Sequence, residues 1–133
     1  MTEYVVDAAA AVDALAGKGA TGIALRSRLA DSTCHAPHLI DAEVGHALRR
    51  ALLNGEISED VALTALRALP DLIENRYPHT PRLLEHAWGL RHNVTFYDAL
   101  YVGLSALLDV PLLTGDARLA GAPALRCRVE LIR

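Results

Sequence analysis

At 133 residues the chain has the size of one domain, residues 1–133, and is long enough to bury a real core. Its 52% hydrophobic content excludes a disordered chain, and its longest apolar run, Ala99–Leu108, falls short of the roughly 18 residues that cross a bilayer. A net charge of −3 gives no blanket attraction to nucleic acid, and the 13 basic residues are arginines apart from Lys18, a bias that partly reflects GC-rich coding.

The first residues lack the basic start of a signal peptide, and Asp7 interrupts the apolar stretch, so a cytoplasmic protein without membrane association is expected. Tyr4, Val5 and Val6 predict a short buried strand over Glu3–Asp7 that ends in an acid. Ala8–Ala16 is helix-forming until Gly17-Lys18-Gly19 breaks it, and Thr21–Asp31 is a second short helix. Ser32–Pro37 reads as a second strand, closed by its proline. Leu39–Leu53 is an amphipathic helix with Ile40, Val44, Ala47, Leu48, Ala51 and Leu52 on one stripe, Glu43 at its edge and Asn54-Gly55 as its stop. A helix over Ser58–Leu69 has Ser58 as its N-cap, and Leu72–Tyr77 is a weaker third strand.

Thr80-Pro81 opens a helix that runs to Arg91, with proline at its first position. From Thr95 to Leu108 the chain is apolar on nearly every side, the mark of a buried helix, and carries one charge, Asp98. Pro111–Thr114 is a very short strand, Gly115-Asp116 turns out of it, and Cys127–Ile132 alternates apolar and polar residues as an edge strand does. Strands alternating with helices imply an α/β fold, a parallel sheet with helices on both faces. Cys34 and Cys127 lie far apart without a Cys-x-x-Cys spacing and read as free thiols; His35 and His38 straddle Pro37 with no partners to complete a zinc site.

Asp98 needs an explanation, because a carboxylate at a core must be capped, paired, protonated or bound to a cation. Thr95 to Asp98 has the spacing of a capping box, which alone would suffice. Three further acids share its position in the fold: Asp7 and Asp116 follow strand ends, and Glu43 borders the core-facing stripe of its helix. In open parallel sheets the ligand site lies at the carboxyl ends of the strands. Individually each acid has a structural reading as cap, turn or exposed residue. Together they would repel without a cation, and an all-oxygen set favours Mg²⁺ or Mn²⁺ over zinc. A cation so held suits hydrolysis of a phosphodiester, through an activated water and a neutralised leaving oxygen.

Val5-Val6-Asp7-Ala8, Pro37-His38-Leu39-Ile40-Asp41-Ala42-Glu43-Val44, Tyr97-Asp98-Ala99-Leu100-Tyr101-Val102 and Leu112-Leu113-Thr114-Gly115-Asp116-Ala117-Arg118-Leu119 resemble, in order, the blocks of PIN-domain ribonucleases. The short chain is similar to the VapC-type toxins of toxin–antitoxin pairs. The resemblance implies a three-layer α/β/α sandwich around a parallel sheet of four or five strands. It maps the catalytic metal ligands onto Asp7, Glu43, Asp98 and Asp116, with Thr114 as a supporting residue. It also implies Mg²⁺- or Mn²⁺-dependent endoribonuclease activity leaving a 3′-hydroxyl and a 5′-phosphate, homodimerisation, and inhibition by a small cognate antitoxin.

One position departs from the pattern: Ala9 stands where the family commonly has Ser or Thr. That departure sustains a rival reading as a catalytically degenerate binding or dimerisation module of the same fold; a nuclease directed at DNA is another. A phosphoacceptor signalling domain would need a lysine after its last strand, and a dehalogenase-like phosphatase an Asp at position 9, so both fail. Arg49, Arg50, Arg82 and Arg118 are candidates to guide an RNA backbone.

Overall fold

A computed structural model describes residues 2–132. β1 (Thr2–Val6) forms the middle of a five-stranded sheet because Val5 and Val6 are apolar and wholly buried from both faces. Around it stand β2 (Ser32–Pro37), β3 (Asn75–Tyr77), β4 (Leu112–Thr114) and β5 (Val129–Leu131), in the order β3-β2-β1-β4-β5 and parallel throughout. Val5 pairs with His35 on one side and with Leu112 on the other. The chain leaves β1 toward β2 and later crosses back to β4, so strand order reverses between β1 and β4. Their carboxyl ends form the crevice of the sheet.

Right-handed crossovers put the helices between β1 and β3 on one face and the later ones on the other. α1 (Ala8–Ala16) packs against α2 (Gly19–Ala30), α3 (Leu39–Leu53) and α4 (Glu59–Leu72). Across the sheet, α6 (Phe96–Leu108) packs on α5 (Pro81–Trp88) and lies against β1, β2 and β4. As its composition predicts, α6 is the core helix: every residue from Ala99 to Ser105 is buried. It ends at Asp109 in the left-handed conformation, φ 54°, where the Asp109 N–H caps the Ala106 and Ser105 carbonyls. No helix among the described residues is long and apolar enough to cross a membrane.

Several boundaries shift by a residue or two from the sequence reading, and three differences are larger. α4 runs on to Leu72, through Pro70, and leaves only Asn75–Tyr77 for the third strand. Pro70 sits in the last turn, where the ladder is already ending, and the Ile73 N–H still reaches the Leu69 carbonyl at 3.1 Å. α5 stops at Trp88 with Gly89 as its C-cap, and the Leu90 and Arg91 N–H groups make tight-turn bonds to Ala87 and Trp88. A short helix α7 (Ala117–Ala120), absent from the sequence reading, follows β4. The expected edge strand is β5, and both cysteines are free, Cys34 buried and Cys127 half-buried.

Candidate metal centre at the sheet crevice

Asp7 leaves β1 in an extended conformation and caps α1, its Oδ1 accepting from the Ala10 N–H at 2.8 Å. Its Oδ2 accepts from the Thr114 hydroxyl at the end of β4. Thr114 is completely buried, and its oxygen in turn accepts from the Asp116 N–H at 2.9 Å. One hydroxyl therefore ties the ends of the two central strands together. Burial pushes the Asp7 carboxyl up to about 6; bonds from Thr114, Ala10 and Gly115 pull it down, and the charge of Asp98 pushes it up.

Asp116 caps α7 by accepting from the Arg118 N–H at 2.9 Å and the Leu119 N–H at 3.4 Å, and the Arg118 Nε lies 3.7 Å from its Oδ1. Its turn reading is therefore correct as geometry, and the same geometry turns the residue toward Asp98. Asp13 lies beside the loop: a Cβ on Gly115 would stand 3.1 Å from its Oδ2 and 3.2 Å from the Ala9 Cβ. Glycine at 115 lets the β4 loop approach α1 this closely.

Asp98 occupies the first turn of α6, where its N–H donates to Thr95 Oγ1 at 3.2 Å. Among the described residues, the return bond of a capping box, from the Thr95 N–H to this carboxylate, is not made. The capping reading is half right, and the Asp98 side chain is left for other work. Its carboxyl is raised, first by burial and then by the charge of Asp116, against the Thr95 hydroxyl and Arg118, which lower it. Glu43, half-buried on α3, is raised by burial and by Asp98 and lowered by Tyr101. Asp7, Glu43 and Asp116 are thus each coupled to Asp98, which is the hub of the group.

α3 is aimed at this hub by contacts from β3 and the loop after it. The His79 Nε2 accepts from the Leu39 N–H at 3.2 Å, in place of a side-chain cap. Arg76 grips Asp41 through both Nε and Nη2 and also reaches the Ile73 carbonyl at 2.6 Å.

Tyr101 was not singled out from the sequence. It lies three residues after Asp98 on the same helix, 1% exposed, with its hydroxyl facing Glu43 and within the influence of Asp7 and Asp98. Burial and those three carboxylates push its phenol far above the usual range. The hydroxyl approaches Glu43 but completes no hydrogen bond of standard geometry, so a buried donor remains beside acids. A tyrosine in the middle of the core helix, at i+3 from its sole acid, was the available signal.

Among the described residues, no three His, Cys, Asp or Glu side chains stand close enough together to hold a metal ion between them. The acids form an open group linked through Asp98. The donor chemistry fits a hard divalent cation: all oxygen, three of the four held above their usual titration by burial and one another, and a buried phenol at hand. Mg²⁺ in particular is commonly held by one or two carboxylates with water filling its remaining positions.

A cavity opens on each side of the hub. One, about 480 Å³, is lined by Asp98 and Asp116 together with Arg91, His92 and Arg118. The other, about 610 Å³, runs from Glu43 past Tyr97 to Arg50. Of the arginines expected from sequence, Arg118 and Arg50 line these cavities; Arg49 and Arg82 are exposed and line neither, and Arg91 takes a place the sequence did not reveal.

The model of the PIN-domain family matches residues 4–125, and the chain, with its five-stranded sheet, belongs to the PIN-domain family. Along its whole length it is 69% identical to ribonuclease VapC1 of Mycobacterium tuberculosis, over 133 residues and 100% of each chain. It is also 41% identical over 123 residues to ribonuclease VapC3 of the same species, covering 90% of this chain and 87% of that one. A solved structure, VapBC2 from Rickettsia felis bound to a DNA fragment from their promoter, superposes with a TM-score of 0.70 over 98% of both chains. At 12% identity that likeness is one of fold.

Proposed function

We propose that this protein is a Mg²⁺- or Mn²⁺-dependent endoribonuclease, the toxin of a toxin–antitoxin pair, with Asp7, Glu43, Asp98 and Asp116 as its catalytic metal ligands. The observation that carries the reading is the meeting of acids from separate elements at the sheet crevice: the Thr114 hydroxyl ties Asp7 to the Asp116 backbone, and Asp98 and Asp116 line one cavity there. The full-length identity to a protein named a ribonuclease supports the substrate class.

When bound, the cation would supply a nucleophile at neutral pH and offset charge on the scissile phosphate. The protein's own groups do the rest. Thr114 fixes the orientation of Asp7 and the backbone of Asp116. The Tyr101 hydroxyl, buried beside Glu43 without a completed hydrogen bond, is a donor available to that carboxylate. Arg91 and Arg118, on the rim beside Asp98 and Asp116, meet the phosphates flanking the cleavage point. The chain acts in the cytoplasm, where its two free thiols stay reduced. It pairs as a homodimer, for which Leu84 and Trp88 offer an exposed apolar face one turn apart on α5, and a small antitoxin silences it.

Asp98→Asn should nearly abolish Mn²⁺-dependent cleavage of RNA while its circular dichroism and unfolding transition stay those of a folded protein. Normal cutting by that variant would sink the ligand assignment. Expression of the unmodified chain alone should arrest growth, with relief on co-expression of the antitoxin.

A further inference from the structure

The cavity on the Glu43 side has a makeup that metal binding does not require. Its apolar lining is Leu39 with the methyl groups of Ala9, Ala42 and Ala47, and Tyr97, 61% exposed, lines it as well. Arg50 and His46 are its basic members. Ala9 is the position where the family pattern has a hydroxyl. A Cβ at Gly115 would sit 3.2 Å from the Ala9 Cβ, so the β4 loop packs closely on this part of α1. Glu43 forms one wall, which places whatever occupies the cavity directly beside the acid group.

We infer that this cavity is a nucleobase subsite, in which an unpaired base of the RNA stacks on Tyr97 against the apolar lining while its phosphate meets Arg50. The inference rests on the ribonuclease reading above and adds the part of the substrate that this face takes. Three features favour a base over another occupant. An exposed aromatic ring is a stacking platform for any base, and single-stranded RNA is read by such platforms. The alanines and Leu39 give the cavity an apolar lining that accepts a flat ring face, with Glu43, His46 and Arg50 as its polar members. Arg50 supplies a positive charge in a cavity that also holds the Glu43 carboxylate, where a phosphodiester needs one. Tyr97 also directly precedes Asp98, and the Thr95 cap holds that turn of α6. A base stacked there is consequently in fixed register with the hub acid. Tyr97 would thus be a specificity-determining residue, selecting which phosphodiester enters the crevice.

The test compares the wild type, Tyr97→Ala and Tyr97→Phe in two assays. The first is fluorescence anisotropy with fluorescein-labelled single-stranded oligo(U), oligo(A) and oligo(C) RNAs in Ca²⁺. The second is cleavage of a mixed-sequence single-stranded RNA in Mn²⁺, repeated on RNA carrying an abasic nucleotide beside the mapped cleavage point. Loss of a stacked base predicts an affinity and kcat/KM lower by about 5- to 150-fold for Tyr97→Ala, with Tyr97→Phe within about threefold of wild type. The abasic RNA should cost the wild type a similar factor and cost Tyr97→Ala little more. Tyr97→Ala that binds and cuts as the wild type does, or an abasic penalty undiminished in that variant, overturns the subsite and leaves the ribonuclease reading standing. RNA binding that depends on Tyr97 without any cleavage upholds the subsite and overturns the ribonuclease reading. Absence of both binding and cleavage overturns both. Since Tyr97 is largely exposed, both variants should unfold at the wild-type temperature.

Discussion

Asp7→Asn should make the metal-free protein more stable at neutral pH while removing its response to divalent cations. Asp7 is 5% exposed, and its carboxyl is raised from 3.8 to about 6. A folded-state value above the unfolded one means that the native protein holds this proton more tightly. The stabilisation from that proton is complete below about 3.8 and is lost as pH rises through about 6. Above that range the ionised carboxylate costs about 3 kcal/mol relative to its neutral form. A neutral amide of the same shape avoids the cost but takes the acceptor from the Thr114 hydroxyl, which returns about 1 kcal/mol. The net gain is about 2 kcal/mol, or roughly 6–10 °C in Tm for a domain of this size.

The assay is thermal and urea unfolding of both proteins in EDTA between pH 4.5 and 8. The gap in favour of the variant should open as pH rises through about 6 and then level off. Saturating Mn²⁺ should raise the wild-type midpoint, by about 2.7 kcal/mol at a hundred times Kd, and leave the variant's unchanged. A gap that stays constant across pH, or a variant that is less stable at pH 7.5, would refute the burial argument. A variant that Mn²⁺ still stabilises as it does the wild type would refute Asp7 as a ligand.

Thr114→Val deletes the hydroxyl shared by Asp7 and Asp116 without changing shape, and should cost about 1–3 kcal/mol in urea unfolding and weaken Mn²⁺ binding; unchanged Mn²⁺ titrations would show that the tie between the strand ends is purely structural. Tyr101→Phe removes a buried hydroxyl that has no completed hydrogen bond, so stability should change by less than about 1 kcal/mol. Cleavage should nonetheless fall at least tenfold, with a higher Mn²⁺ requirement, because Glu43 loses its support; wild-type cleavage by this variant would remove Tyr101 from the site.

Much of the site was legible in the chain because its parts are local. Asp7 and Asp116 follow runs that read as strands from a few residues, Glu43 borders a stripe at helical spacing, and Asp98 is the lone charge in an apolar helix. Once those strands are parallel, general topology sends all their carboxyl ends to one edge. The buried α6, the edge position of β5 and the free cysteines follow in the same way from composition and alternation. Where the reading failed, the competing force was weak or short-ranged. A proline in the last turn of α4 breaks little, so the helix outlasted it, and a four-residue helix such as α7 leaves no periodicity to find.

What only the tertiary structure decided was which side chains meet. Thr114 and Asp7 are 107 residues apart, and their bond exists because β1 and β4 pair across the point where strand order reverses. Tyr101 looks like one more core aromatic until α3 is seen to bring Glu43 against it. Arg50 and Arg118 are distinguished from Arg49 and Arg82 only by the faces their helices turn to the two cavities. The chain alone determines what each element is, through local propensity and burial pattern. Its function depends on distances between elements, and those are set by the strand order and by how the helices settle on the sheet.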